Sequence, residues 1–413
     1  MKRFLSLTLI FTFVFILSAC QNNSKGINIA EYNHDAFYRN DLLTVGADPS
    51  VIYINEGKDA GYYYMYATSN EMYGTGFLAY KSNDLINWEC QGVALRSKGE
   101  YIENENKTII SFGFSNYWAP EVIYDANSKL YYMFYSANRY DTAFNNGLYF
   151  FGDIAISEDP AGPFVQYNEY YNQNLVLVDK TNNVYAYEPV FDFSKMNNNH
   201  PLYEINSDGY MKIIDLSPFI DPKTGNKYVY FCHDLSSALA ISKSQIYVMA
   251  LDDNWMPKYD EVYALTMPNR YTLDGDDNIE LNEGKVNEAP FMVYRDGKYY
   301  LLYSANSYMQ KTYSVRVAIS DSPVGPFRKL TKEEGGYLLY ADSYWTWSSG
   351  TGHCSVVNKD GQDYIVYHEH QDRTLGNSSR SIAVDEIVWT KNNDGLNVMV
   401  ANGPSYADRK SVV

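Results

Sequence analysis

The chain has 413 residues, 46% hydrophobic and 20% charged, an ordinary globular composition that excludes a disordered protein. A net charge of −17 at pH 7 sets the surface against phosphate backbones, so no nucleic-acid partner is expected, whereas a neutral polymer such as a glycan meets no such penalty. The unusual count is 42 Tyr; β-propensity explains most of them, and stacking on sugar rings is a second use for such faces.

The first element is a targeting signal. Lys2-Arg3 forms a basic n-region, and Leu5 to Leu17 an apolar h-region too short to span a membrane permanently. Leu17-Ser18-Ala19-Cys20 then looks like a lipobox, in which Cys20 becomes the lipidated first residue of an exported bacterial lipoprotein. Residues 1–20 are therefore read as the signal, 21–30 as a polar tether and 31–413 as the folded domain. Acyl chains would hold that domain on a membrane, in the periplasm or at the outer-membrane or cell surface. The other cysteines, Cys90, Cys232 and Cys354, lack C-x-x-C spacing and read as buried small hydrophobes.

Five strand–turn–strand units follow. Their second strands are copies of one Tyr-rich phrase: Gly61–Tyr66, Lys129–Tyr135, Lys227–Phe231, Gly297–Tyr303 and Asp363–Tyr367. Each is preceded by a turn and, before that, by an apolar run. A third run follows each copy, at Phe77–Ser82, Asp153–Ser157, Ile246–Leu251, Val315–Ser320 and Arg380–Val384. Leu175–Val178 and Val262–Leu265 suit a fourth, outer strand. No helical periodicity persists, and residues 138–150, 179–212 and 268–287 read as loops decorating one face. Radial repetition of such units predicts an all-β, five-bladed β-propeller with its site at the central funnel.

The residues that open each first strand break the sameness of the repeat. They are Asp48 in Ala47-Asp48-Pro49, Trp118 in Trp118-Ala119-Pro120-Glu121, Asp215 in Ile214-Asp215-Leu216, Glu288 in Glu288-Ala289-Pro290 and His353 in Gly352-His353-Cys354. First strands line the axis of a propeller, so equivalent positions converge: three carboxylates, an indole and an imidazole on one ring. In this order and at this spacing the motifs resemble glycoside hydrolase family 43, five-bladed propeller enzymes acting on arabinose- and xylose-containing polysaccharides. The likeness runs from Asp48 to Trp389.

That resemblance implies an inverting hydrolase. Asp48 would be the general base, Glu288 the general acid and Asp215 the carboxylate that orients the acid and keeps its pKa high. Inversion needs two carboxyls roughly 6.5–9.5 Å apart to admit a water, and opposite funnel walls supply such a span. Trp118 and Trp345, with Trp347, would wall the sugar subsite, and Arg380 would reach in from the last blade. His353 would help to hold an axial calcium through water, with no other cofactor implied. In the third unit the family's Asp-Pro is replaced by Asp215-Leu216, which leaves Asp221 as a rival; Glu121 and Glu188 are rival carboxylates, of which Glu121 reads as structural. The implied substrates are oligo- or polysaccharides such as arabinan or arabinoxylan. The first choice of activity is α-L-arabinofuranosidase. The alternatives are β-xylosidase, β-galactofuranosidase or a non-catalytic glycan-binding lipoprotein, and a binder has no need to keep all three carboxylates.

Overall fold

A computed structural model describes residues 46–68, 76–96, 102–103, 109–110, 113–141, 147–171, 189–191, 213–233, 244–266, 268, 283–340, 348–371, 379–401 and 403–404. The signal and tether with Cys20, the outer-strand candidate Leu175–Val178, and Glu188, Trp345 and Trp347 lie outside the described residues.

The described chain forms five antiparallel blades. Blade one is β1 (Ala47–Tyr53), β2 (Tyr63–Thr68), β3 (Phe77–Ser82) and β4 (Glu89–Leu95), paired in chain order. A small ribbon, β5 (Ile102–Glu103) with β6 (Ile109–Ile110), precedes blade two. Blade two is β7 (Gly113–Asp125), β8 (Leu130–Asp141), β9 (Gly147–Ser157) and β10 (Val165–Gln166), followed by a short helix, α1 (Tyr167–Tyr171). Blade three is β11 (Ile213–Ile220), β12 (Lys227–His233), β13 (Gln245–Leu251) and β14 (Pro257–Thr266). Blade four is β15 (Asn287–Arg295), β16 (Lys298–Ala305), β17 (Ser314–Ser320) and β18 (Arg328–Lys329), with β19 (Tyr337–Leu339) also on β17. Blade five is β20 (Gly352–Lys359), β21 (Gln362–His370), β22 (Arg380–Lys391) and β23 (Asn397–Ala401).

Thus the Tyr-rich phrase is the second strand of every blade, and Val262–Leu265 falls in the expected outer strand. The expected loop at 138–150 is largely strand instead: β8 and β9 extend their ladder to the pair Asp141–Gly147. Cys90 is exposed rather than buried, because it sits on the outer strand β4; Cys232 and Cys354 are buried as expected, and all three are free thiols.

The core is divided among the five blade interfaces. A strand with both faces covered reads as a continuous apolar run. In β2, Tyr63, Met65 and Ala67 pack on Val366, Ile382 and Val384 of blade five, while Tyr64 and Tyr66 pack on Tyr131, Met133 and Tyr135 of blade two. The period of two therefore sorts alternate residues into different interfaces. Analogous clusters join blades two and three, three and four, and four and five. The buried tyrosines bond outward across these seams: Tyr66 to the Pro160 carbonyl at 2.5 Å, Tyr230 to the Pro323 carbonyl at 2.8 Å and Tyr300 to the Asn397 carbonyl at 2.7 Å. The Tyr excess is thus largely scaffold, because a phenol fills an interface and still finds an acceptor. Among the described residues no helix is long and apolar enough to cross a membrane.

Candidate active site

In every innermost strand the ladder slips near its start, and in β7 it slips a first time between Ser115 and Trp118 as well. The slips fall between Ala47 and Ser50, Trp118 and Glu121, Ile214 and Ser217, Glu288 and Phe291, and Gly352 and Ser355. The first residue of each bulge has a positive φ: 50° at Asp48, 49° at Ala119, 56° at Asp215, 52° at Ala289 and 46° at His353. Such a conformation in a non-glycine residue costs about 1–3 kcal/mol and persists only where neighbours hold it.

The holders are visible. The bulge N–H of Ala119 donates to Thr68 Oγ1 at 2.8 Å, that of Asp215 to Ser136 Oγ at 2.9 Å and that of His353 to Ser304 Oγ at 2.8 Å. The N–H of Asp48 donates to His368 Nδ1 at 3.2 Å. Each acceptor stands at one position on the second strand of the preceding blade. In blade three that position is Cys232, which has no hydroxyl. The Ala289 N–H turns instead to Asp215 Oδ2 at 2.9 Å.

The register corrects the expected equivalence. Asp48, Asp215 and His353 occupy the bulge itself, whereas Trp118 and Glu288 stand one residue earlier. A bulge re-aims side chains, so two successive positions reach the same space. All five line one cavity of about 460 Å³, together with Arg380, Phe150, Tyr308 and Tyr313.

Asp48 is buried and surrounded by cations. Its Oδ1 lies 2.9 Å from Arg380 Nη1 and 3.1 Å from His353 Nδ1. Burial opposes its charge, but Arg380 and His353 outweigh burial and hold its pKa well below the usual carboxylate value. Burial likewise opposes charge on His353, yet the Asp48, Asp215 and Glu288 carboxyls raise its pKa to about 9. His368 behaves oppositely: burial and Arg380 push it down to about 3, so its neutral Nδ1 accepts the Asp48 N–H.

Glu288 is positioned by a residue that sequence reasoning missed. Tyr313 Oη donates to Glu288 Oε1 at 2.8 Å. Burial, with the Glu288 carboxylate, raises the Tyr313 pKa well above its ordinary value, so the phenol stays a donor. Its ring stacks on His368 with centroids 5.5 Å apart, and Gly352 leaves room for it: a Cβ there would lie 1.9 Å from Tyr313 Cε1. The run Gly350-Thr351-Gly352 was the one sequence signal of that crowding, since a Cβ on Gly350 would strike the His370 ring at 2.3 Å. Asp215, through its bond to the Ala289 N–H, is tied to the backbone beside Glu288.

Trp118 meets Phe150 edge-on at 5.4 Å, and the Arg380 guanidinium lies over the Tyr308 ring at 4.8 Å. Phe150 and Tyr308 were also missed; they come from a third strand and a hairpin turn. The rival Asp221 is spent on its own turn and on Tyr299 Oη, away from the cavity. Glu121 accepts from Ser217 Oγ at 2.9 Å, and burial raises its pKa to about 8. It is not among the residues that line the cavity. The protein groups around His353 do not by themselves fit calcium, which takes six to eight oxygens. His353 Nδ1 is committed to Asp48, and among the described residues no group of three His, Cys, Asp or Glu is arranged as a metal site.

A model of the family described as glycosyl hydrolases family 43 matches residues 38–187 and 193–395. The chain belongs to glycosyl hydrolases family 43. Consistent with family 43 membership, the fold matches a thermostable family-43 glycoside hydrolase with a TM-score of 0.64 and 27% identity, over 90% of this chain and 99% of that one. An extracellular endo-α-(1→5)-L-arabinanase of Thermotoga petrophila is 26% identical over 290 residues, 68% of this chain and 50% of that protein. The β-D-galactofuranosidase xynD of Aspergillus niger is 32% identical over 125 residues, 30% of this chain and 35% of that enzyme. The chain thus spans half or less of the length of these two curated relatives. As a family 43 protein it shares the propeller fold of the thermostable family-43 glycoside hydrolase.

Proposed function

We propose that this family 43 glycosidase is an inverting, exo-acting enzyme that removes terminal furanose residues, with α-L-arabinofuranosides as its first substrates. One observation carries the reading: Asp48, Asp215 and Glu288 face a single cavity in three different environments. Asp48 is held ionised by Arg380 and His353, which suits a base that takes a proton from water. Glu288 carries one bond from Tyr313 and faces the leaving oxygen as the acid. Asp215, bonded beside Glu288, supplies the negative charge that keeps a nearby acid protonated. In the step itself, Asp48 accepts a proton as water attacks the anomeric carbon, and Glu288 gives its proton to the departing oxygen. Trp118 and Tyr308 offer aromatic faces, and the β8–β9 hairpin that brings Phe150 to the cavity supports a closed pocket and exo action.

The resemblance to a β-D-galactofuranosidase favours a second reading within the same class. β-D-Galactofuranosides share the ring and the C1–C4 stereochemistry of α-L-arabinofuranosides and add one carbon to the exocyclic chain. A panel of aryl α-L-arabinofuranoside, β-D-galactofuranoside and β-D-xyloside separates the readings. The furanosides are expected to turn over; exclusive cleavage of the xyloside overturns the furanosidase proposal, and no cleavage of any supports a glycan binder. Lipidation at Cys20 and anchoring in the periplasm or at the outer surface belong to the same proposal, supported by the lipobox. Cys20→Ser should abolish metabolic labelling by a fatty acid and release the protein from membranes; unchanged labelling contradicts it.

A further inference from the structure

Behind Glu288, away from the cavity, lies a buried charged cluster that the chemistry above does not use. Glu283 is 1% exposed. Lys329 Nζ, on β18, donates to Glu283 Oε2 and, at 2.8 Å, to Asn287 Oδ1. Asn287 Nδ2 donates to the same Glu283 oxygen at 3.1 Å, and Tyr303 Oη to Glu283 Oε1 at 2.7 Å. Arg316 Nη1 stands 3.7 Å from that second oxygen. Two cations therefore converge on one buried carboxylate.

Burying these charges is expensive, and a hydrophobic replacement is often as stable or more so, so bulk stability is a poor reason for the cluster. Its placement gives a better one. Asn287, fully buried, is the residue immediately before Glu288. Its backbone N–H donates to the Ser244 carbonyl of blade three at 2.8 Å. Glu283 in turn caps the turn that feeds β15: its carbonyl accepts from Val286 and Asn306 N–H, both at 3.3 Å. The acid is thus held from the far side by Asp215, at its tip by Tyr313, and from the near side by Asn287 and the charges around it.

We infer that Glu283 is a positioning residue for the general acid, acting through Asn287 and Lys329 on the strand entrance from which Glu288 projects. This rests on Glu288 being the acid. Catalysis by a positioned acid is sensitive to displacement, and about 1 Å is enough for a hundredfold loss. A displaced acid penalises only substrates whose leaving group needs a proton.

The test compares two glycosides of the sugar that the wild type cleaves, one with a dinitrophenolate leaving group and one with an alkyl leaving group. It uses the full chain carrying Glu283→Gln or, separately, Asn287→Ala, which keeps the Glu283–Lys329 pair. The expected result is a fall in kcat on the alkyl glycoside of about tenfold to a hundredfold, with less than about a threefold change on the dinitrophenyl glycoside. Equal losses on both substrates, or no loss on either, overturn the inference; if Glu283→Gln does not fold, Asn287→Ala decides. Glu288→Gln is run alongside. If it fails to discriminate between the two leaving groups, the acid assignment has failed rather than the positioning role.

Discussion

Asp48, Asp215 and Glu288 have one functional group in common and three different surroundings, and the surroundings assign the chemistry. A carboxylate against Arg380 and His353 stays charged, whereas Glu288 accepts from the Tyr313 phenol, and the proposed base and acid roles follow that difference. Asp48→Asn and Glu288→Gln are each expected to lower kcat about 10²- to 10⁴-fold on glycosides with poor leaving groups. Because the reactive form of Asp48 is the anion and its pKa is depressed, the acid limb of kcat/KM should lie below the ordinary carboxylate range. Arg380→Ala removes the largest opposing charge, so it should move that limb to higher pH; a limb that stays in place contradicts the assigned ion pair. At this scale the sequence was highly legible for the groups that open the first strands, because carboxylates beside Pro or Ala interrupt otherwise apolar runs. Tyr313 and Tyr308 were not, because tyrosine is everywhere in this chain and nothing local marks these two.

Each first strand delivers its functional group by the same device, a bulge held by the neighbouring blade. Periodicity alone could not show it: a bulge inserts a residue, and the alternation on either side still looks regular. That is why Trp118 and Glu288 fall one position before Asp48, Asp215 and His353. The extension of β8 and β9 was hidden for a related reason, since the sequence of residues 138–150 mixes Asn, Asp and Tyr with no apolar alternation to read as strand. The β20 entrance shows how tightly such an element is set. Gly352→Ala would force the Tyr313 ring away from Glu288, and overpacking of this kind costs about 1–3 kcal/mol. Its kcat on alkyl glycosides should fall along with its Tm; Tyr313→Phe, which removes only the hydroxyl, should lower the same kcat with a smaller change in Tm. Normal kcat in both variants contradicts the role given to Tyr313.

The whole molecule is a ring whose last seam is closed, in the described residues, without a shared strand. Blades five and one meet through Val51, Met65, Ile382 and Val384, the Gly46 N–H to the Arg380 carbonyl at 3.2 Å, and the Arg380–Asp48 ion pair. The same seam thus carries Asp48, the proposed base, and closes the fold. Ile382→Ala should cost about 2–5 kcal/mol, measured by denaturant unfolding. Between blades two and three, Lys227 Nζ meets Asp125 Oδ2 at 2.6 Å with both side chains buried, and Lys227→Met should cost about 3–5 kcal/mol by stranding the carboxylate. Stability should also fall toward alkaline pH. His353 has its folded pKa raised from 6.5 to about 9, so its contribution is whole below about pH 6.5 and lost as pH rises through 9. Glu121, raised from 4.5 to about 8, loses its contribution as pH rises through that window. Tm should therefore decline from neutral pH to pH 9, and Glu121→Gln should flatten the part below about 8; an unchanged slope contradicts the burial of that acid.

The ring also puts Asp48 and Glu288 on different blades, from which the proposed pair would act on opposite faces of one sugar. The most direct test is the anomer released first, followed by proton NMR from the start of hydrolysis of the best aryl furanoside. Inversion is the predicted result, with the opposite anomer appearing before mutarotation. First release of the retained anomer would contradict a water-activating Asp48 and require a glycosyl-enzyme intermediate instead.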